Sequence, residues 1–261
     1  MKFEAAFFDI DNTLFDYKTM RFVPSAIEAV KAFQAKGGKV FIASARCFDL
    51  IRSFGTLNIG IHWDGYVAFG GGLAVADHKI VKNISMPPSK MKKLVNVCLE
   101  NHLGLEVLAP FSRYLATPMN DYVKGYHDVF IDPFPPRRKY KGGPVQGALL
   151  YAPEEYDEIV QQACPELLIR RFQQFGAEVS TSDKRTKGFG CQAVLEYYGI
   201  PKEKAIAFGD SGPDLSMKDA CGTLVIMGNG ESYCKERADF VAEEAHIDGI
   251  KKTLEFFGDI L

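Results

Sequence analysis

Two periodicities alternate along this chain. The short apolar runs FEAAFFDI, KVFIAS and GYVAFG predict strands near 3–10, 39–44 and 65–70. Between the first two lies PSAIEAVKAFQAKG, in which Ile27, Val30 and Phe33 recur at helical spacing. Pro24 suits its first turn and Gly37 can end it. The far end of the chain repeats the alternation. AIAFGD, GTLVIM and DFVA predict strands, with helices over 187–198, 213–220 and 247–257. Near-continuous apolar strands separated by helices predict an α/β fold, a Rossmann-like three-layer core with a parallel sheet covered on both faces.

From about 83 to 183 the pattern changes. SMPPSKMKKLVNVCLENH opens a helix with Met91, Leu94, Val95 and Cys98 on its apolar side, and LGLEVLAP and SRYLATP read as strands. A Pro-rich irregular stretch, DPFPPRRKYKGGP, follows. QGALLYAP then leads into a helix over PEEYDEIVQQAC, and ELLIRRF and GAEVSTS predict paired strands. One helix plus strands, repeated with hairpin-like connections, predicts a separate α+β module. SMPP and STSDKRTKG bracket it, so the expected organisation is a core of 1–82 and 184–261 interrupted by an inserted domain over 83–183.

At 261 residues, with 47% hydrophobic and 25% charged, the chain has the composition of a soluble globular protein. A net charge of −2 gives no electrostatic case for nucleic acid or an anionic membrane surface. The basic cluster Arg137, Arg138, Lys139 and Lys141 reads as a solvated loop. No apolar run approaches the roughly 20 residues that span a bilayer. Glu4 and Asp9 interrupt what would be a signal peptide's apolar region, so none is expected. The six cysteines are scattered without a CxxC pair, which suggests reduced thiols in a cytoplasmic protein.

Charge at strand ends carries the chemistry. In open parallel sheets, ligands bind at the carboxyl ends of the strands. Asp9 and Asp11 follow the first predicted strand, Ser44 the second, and Asp210 and Asp214 follow AIAFGD. Clustered carboxylates repel one another, and a hard divalent cation such as Mg²⁺ relieves that penalty. Ser211-Gly212-Pro213 suits a helix start between the last two carboxylates. Lys187 opens a predicted helix, where its charge adds to the positive end of the dipole. That costs about 0.3–1 kcal/mol unless an anion sits there. Lys187, Ser44 and helix N-terminal amides would together bind a phosphate.

The joint set resembles the haloacid dehalogenase superfamily, in particular its Cof-like phosphatase branch with a type IIB cap. FFDIDNTL is similar to the nucleophile motif, FIASAR to the Ser/Thr motif, TKGFGCQAVLEYYGI to the lysine motif and AIAFGDSGPDLSM to the acidic motif. MGNG, KERADFV and DGI also resemble that branch. Two departures stand out. The branch usually carries Asn where Pro213 stands, and Asn-Gly-Ala where this chain has Gly70-Gly71-Gly72.

The resemblance implies a Mg²⁺-dependent phosphatase working through an aspartyl-phosphate. Asp9 would be the nucleophile and metal ligand, with Asp210, Asp214 and the Asp11 carbonyl completing the metal set. Asp11 would carry the proton, and its neighbouring carboxylates should raise its pKa. Ser44 and Lys187 would hold the phosphoryl group, assisted by Arg46. The implied partner is a small-molecule phosphate ester, a sugar phosphate first and a phosphorylated cofactor such as flavin mononucleotide or pyridoxal phosphate next. No nucleic acid or membrane is implied, and a monomer or homodimer is expected. The inserted domain should select the substrate, with Arg113, Tyr114, Tyr122 and the Arg137–Lys141 loop as candidate contacts. A phosphomutase, a non-catalytic phosphate-binding relative and a phosphorylated receiver domain are the alternatives.

Overall fold

The computed structural model describes residues 1–130, 132–172, 174–181 and 185–260. The chain divides into two compact units: Met1–Arg46 with Gly55–Asn83 and Arg185–Leu261, and Cys47–Phe54 with Ile84–Lys184. Cys47–Phe54, expected within the core, therefore groups with the inserted segment. Residues 182–184 of the expected linker STSDKRTKG lie outside the described residues.

In the first unit, eight strands among the described residues form one sheet. Their order is Phe240–Val241, Thr223–Ile226, Ala205–Gly209, Ala5–Phe8, Lys39–Ala43, Gly65–Ala68, Leu73–Ala76 and Lys79–Asn83. The first six are parallel. The last two form an antiparallel hairpin, so the sheet is mixed and not purely parallel as the pattern predicts. The hairpin turns on Asp77 and His78, both at positive φ. That is the backbone of a tight hairpin turn without the glycine that usually signals one.

Side chains alternate across the sheet and fill two cores. Ala6 and Phe8 join Val30, Phe33, Phe208 and Leu254 beneath helices Pro24–Ala35 and Gly249–Phe256. Ala5 and Phe7 point the other way, joining Phe41, Val194, Leu195 and Met217 beneath helix Lys187–Tyr198. Phe7 stacks on Phe41 at 4.9 Å and Phe8 on Phe208 at 5.0 Å, so strand Ala5–Phe8 is anchored on both faces. Each such ring contributes about 1.5–3 kcal/mol by leaving water. The segment expected as a helix over 213–220 is a 3-10 helix, Gly212–Asp219.

The second unit holds a five-stranded antiparallel sheet in the order Leu168–Phe172, Gly176–Ser180, Gly147–Tyr151, Gly104–Ala109 and Ser112–Leu115. Helices Pro88–Glu100 and Glu155–Ala163 cover one face through Met91, Leu94, Cys98 and Val160, packed on Leu105, Val107, Ala148 and Leu150. A further helix, Asp121–Phe130, has no counterpart in the sequence reading. Gly125 in its interior weakens the local signal by about 1 kcal/mol, while Asn120 Oδ1 accepts from Val123 N at 3.0 Å to cap its start. On the other face the Glu106 carboxylate is fully buried. It accepts from Arg113 Nη1 at 3.0 Å and Tyr151 Oη at 2.7 Å. Burial pushes its pKa up, but hydrogen bonding and charge from His127, Arg113 and Tyr151 outweigh that and hold it below the usual carboxylate range.

All six cysteines are buried and unpaired. Among the described residues no helix is long and apolar enough to cross a membrane.

Candidate active site

The sheet order reverses beside strand Ala5–Phe8. The chain passes to one flank to form Lys39–Ala43 and later to the other to form Ala205–Gly209. Such a switch point opens a crevice at the carboxyl ends of the strands. Parallel register sets Phe8 level with both Ile42 and Phe208. Asp9, Ser44 and Asp210, each one or two residues further on, therefore leave the sheet at one edge.

Lys187 enters the same place from the start of helix Lys187–Tyr198, whose first turn is capped by Thr186 Oγ1 accepting from Phe189 N at 3.2 Å. Lys187 Nζ donates to Asp9 Oδ1 at 2.7 Å and to Asp214 Oδ1 at 2.6 Å, and all three side chains are buried. The anions that compensate a lysine at the positive end of this helix are these two carboxylates. Their charges outweigh the effect of burial and raise the Lys187 pKa, so it is a permanent cation.

Asp214 is fixed from its other side. Its Oδ2 accepts from Asp210 N at 3.0 Å, Ser211 N at 3.0 Å and Ser211 Oγ at 3.2 Å. This completes a capping box on the 3-10 helix, into whose first turn Pro213 fits. A Cβ at Gly209 would overlap the Asp214 carboxylate, so the last residue of strand Ala205–Gly209 has to be small. The departure to proline at 213 thus leaves the backbone of the acidic loop well formed.

Oxygens of Asp9, Asp210 and Asp214 lie within 4.8 Å of one another, all on buried residues. Burial raises the Asp9 pKa well above the ordinary value. Lys187 offsets part of the rise, and the charges of Asp214 and Asp11 add to it. Burial and the Asp214 charge push Asp210 up to about 6, against smaller opposing effects of Asn12, Lys187 and Ser211. Three clustered carboxylates offering only oxygen donors suit a hard divalent cation. The residues fit a metal ion.

Asp11 behaves in the opposite sense from expectation. Burial pushes its pKa up, but hydrogen bonds and charge from Arg46, with a hydrogen bond from Tyr17, bring it below the ordinary value. Arg46 Nε donates to Asp11 Oδ2 at 3.0 Å and Nη2 to Oδ1 at 2.8 Å, a bidentate pair. Arg46, expected on the phosphate, instead pairs with Asp11 and outweighs the neighbouring carboxylates. Tyr17, on no motif of the sequence, also donates to Asp11 Oδ1.

The Ser44 side chain is buried and its Oγ accepts from Arg46 N at 3.1 Å. The Ser44 carbonyl accepts from Gly70 N at 3.1 Å, and Gly72 N donates to Phe69 O at 3.0 Å. Two amides of the triple-glycine turn are therefore engaged within the protein. Gly71 has φ 95°, and a Cβ there would overlap the Thr186 carbonyl, so glycine lets this turn meet the start of the Lys187 helix.

Of the candidates in the second unit, Arg113 is buried and committed to Glu106 and to the Pro133 carbonyl at 2.6 Å. Tyr114 packs on the helix-covered face, and Tyr122 is half-buried. The Arg137–Lys141 loop is largely exposed and is tied through Arg138 N to Leu115 O at 2.9 Å.

Residues 6–254 match the haloacid dehalogenase-like hydrolase family, and the chain belongs to it. Within that family it is a phosphatase, a phosphoric monoester hydrolase. It is 28% identical over 255 residues to YkrA of Bacillus subtilis, covering 97% of this chain and 96% of that one. It is 25% identical over 251 residues to the phosphoglycolate phosphatase of Sulfolobus acidocaldarius, covering 94% of each. The solved structure of the subclass IIB sugar phosphatase BT4131 superposes with a TM-score of 0.78 at 28% identity. That match covers 98% of this chain and 100% of that one.

Proposed function

We propose that this phosphatase hydrolyses a small phosphorylated metabolite, a sugar phosphate first, through an aspartyl-phosphate on Asp9 with Mg²⁺ as the metal. The observation that carries the reading is Lys187 bridging Asp9 and Asp214 inside a buried carboxylate cluster at the switch point. Asp9, Asp210, Asp214 and the Asp11 carbonyl would hold the ion. When bound, Mg²⁺ supplies positive charge against the phosphoryl oxygens and the carboxylates alike.

Asp9 attacks phosphorus while Lys187 favours its ionised form and aims the carboxylate. As the P–O bond to the alcohol breaks, Asp11 in its protonated form, which the Arg46 pair disfavours in the free protein, passes its proton to the departing oxygen. The Asp11 carboxylate then takes a proton from the water that cleaves the acyl phosphate, so the residue returns to its starting state. The arginine pair that favours ionised Asp11 suits this second half. Ser44 and Lys187 steady the transferring phosphoryl group, and residues 83–183 select the alcohol. Similarity to a named sugar phosphatase supports the substrate class.

The test is phosphate release from p-nitrophenyl phosphate with Mg²⁺, followed by a panel of sugar phosphates and phosphorylated cofactors. Asp9→Asn is expected to abolish turnover; comparable activity in that variant refutes Asp9 as nucleophile.

A further inference from the structure

The Asp11 carboxylate is held from two directions. Arg46 grips both oxygens, and Tyr17 Oη donates to Oδ1 at 2.7 Å while accepting from Arg46 Nη2 at 3.0 Å. Tyr17 directly follows the first strand of a small hairpin, Phe15–Asp16 paired with Arg21–Phe22. That hairpin is braced from within. Asp16 Oδ2 accepts from Thr19 N at 2.9 Å and Thr19 Oγ1 at 2.6 Å, closing the turn that carries Tyr17. The Phe15 ring sits edge-on to Tyr17 at 5.1 Å and to Phe22 at 5.2 Å. The start of the hairpin is pinned as well, because Asn229 Nδ2 donates to Asn12 O at 2.8 Å.

An aspartate on a strand end has two side-chain torsions free unless something fixes them. Arg46 alone resists in-plane slippage of the carboxylate, and the Tyr17 hydroxyl closes a three-membered ring of hydrogen bonds around Oδ1. A carboxylate oxygen offers about two acceptor sites: Oδ1 uses both on Arg46 Nη2 and Tyr17 Oη, whereas Oδ2 accepts from Arg46 Nε and keeps a second site for the proton it delivers.

We propose that Tyr17 is a positioning residue for the reaction, holding the Asp11 carboxyl in the orientation from which its proton reaches the departing oxygen. This rests on the reading of Asp11 as proton carrier. The hydroxyl matters most for a poor leaving group, because a weakly basic one departs without a proton. General acids contribute roughly 10²–10⁴-fold, and misplacing one forfeits part of that factor.

The test compares p-nitrophenyl phosphate with phenyl phosphate, which have similar shapes but leaving oxygens of different basicity. Release of p-nitrophenol and of phenol is followed in single turnovers with enzyme in excess and Mg²⁺ present, for wild type, Tyr17→Phe and Asp11→Asn. Phenylalanine keeps the ring contact with Phe15, and Tyr17 is 41% exposed, so the variant should fold. The rate ratio of p-nitrophenyl to phenyl substrate is expected to rise about fivefold in Tyr17→Phe and further in Asp11→Asn. A rise in Asp11→Asn with an unchanged ratio in Tyr17→Phe overturns the role of Tyr17 alone. An unchanged ratio in both overturns the proton-carrier reading, and the positioning role with it. Equal slowing of both substrates in Tyr17→Phe, which a hydroxyl that only braced the hairpin would give, also refutes the proposal.

Discussion

Ionisation of Asp210 should cost the metal-free protein stability as pH rises, and Asp210→Asn should remove that cost. The fold raises the Asp210 carboxyl from 3.8 to about 6, chiefly by burial and secondarily through the charge of Asp214. Below 3.8 both folded and unfolded chains hold the proton, and nothing is lost. Between 3.8 and about 6 the unfolded chain gives the proton up first, so stability falls as pH rises. Above about 6 the folded protein carries the whole penalty of a confined charge, at most about 3 kcal/mol. Asparagine keeps the shape and one acceptor oxygen but never ionises. In EDTA at pH 8, Asp210→Asn is expected to gain up to about 3 kcal/mol, a rise in Tm of roughly 5–10 °C for a chain of this size. At pH 4 the gain should vanish. Saturating Mg²⁺ should reverse the order, because binding stabilises the wild type by mass action and the variant has lost a ligand. Thermal unfolding at the two pH values, with EDTA and with Mg²⁺, measures all three. A stability difference that does not change with pH would refute the electrostatic account of the cluster.

Lys187→Met removes the cation shared by Asp9 and Asp214 and leaves two buried carboxylates facing each other. Breaking a buried pair from one side costs about 3–5 kcal/mol, so a large fall in the urea midpoint at pH 7 is expected, together with loss of phosphatase activity. In the second unit, Arg113→Met strands Glu106, which lies at 0% exposure. The same 3–5 kcal/mol is expected there, and limited proteolysis should show cleavage sites opening within 84–184.

The elements most legible in the sequence are those whose local signals agree with their surroundings. Lys187–Tyr198 has a threonine cap before it and Gly199 at φ 67° after it, and both bounds follow from local chemistry. The Leu73–Asn83 hairpin is harder to read, because its turn uses Asp77 and His78 in place of a glycine pair. Asp121–Phe130 escapes because Gly125 interrupts it and its cap, Asn120, sits in a run of turn-forming residues. The site divides in the same way. That Asp9, Ser44, Asp210 and Asp214 belong together follows from strand order alone, since each stands just past a strand or on the loop after it.

The electrostatics did not follow from position, because position does not say which charges touch. Asp9 and Asp11 are two residues apart and look alike in the sequence. Yet Asp9 faces Lys187, 178 residues away, and Asp11 faces Arg46, 35 residues away. Lysine shares its charge with a second carboxylate, whereas the arginine fork grips both oxygens of one. Burial therefore prevails at Asp9 and loses at Asp11, which is why their pKa values move in opposite directions. The two aspartates have different electrostatic surroundings before any ligand binds, and the difference comes from which cation the fold brings to each.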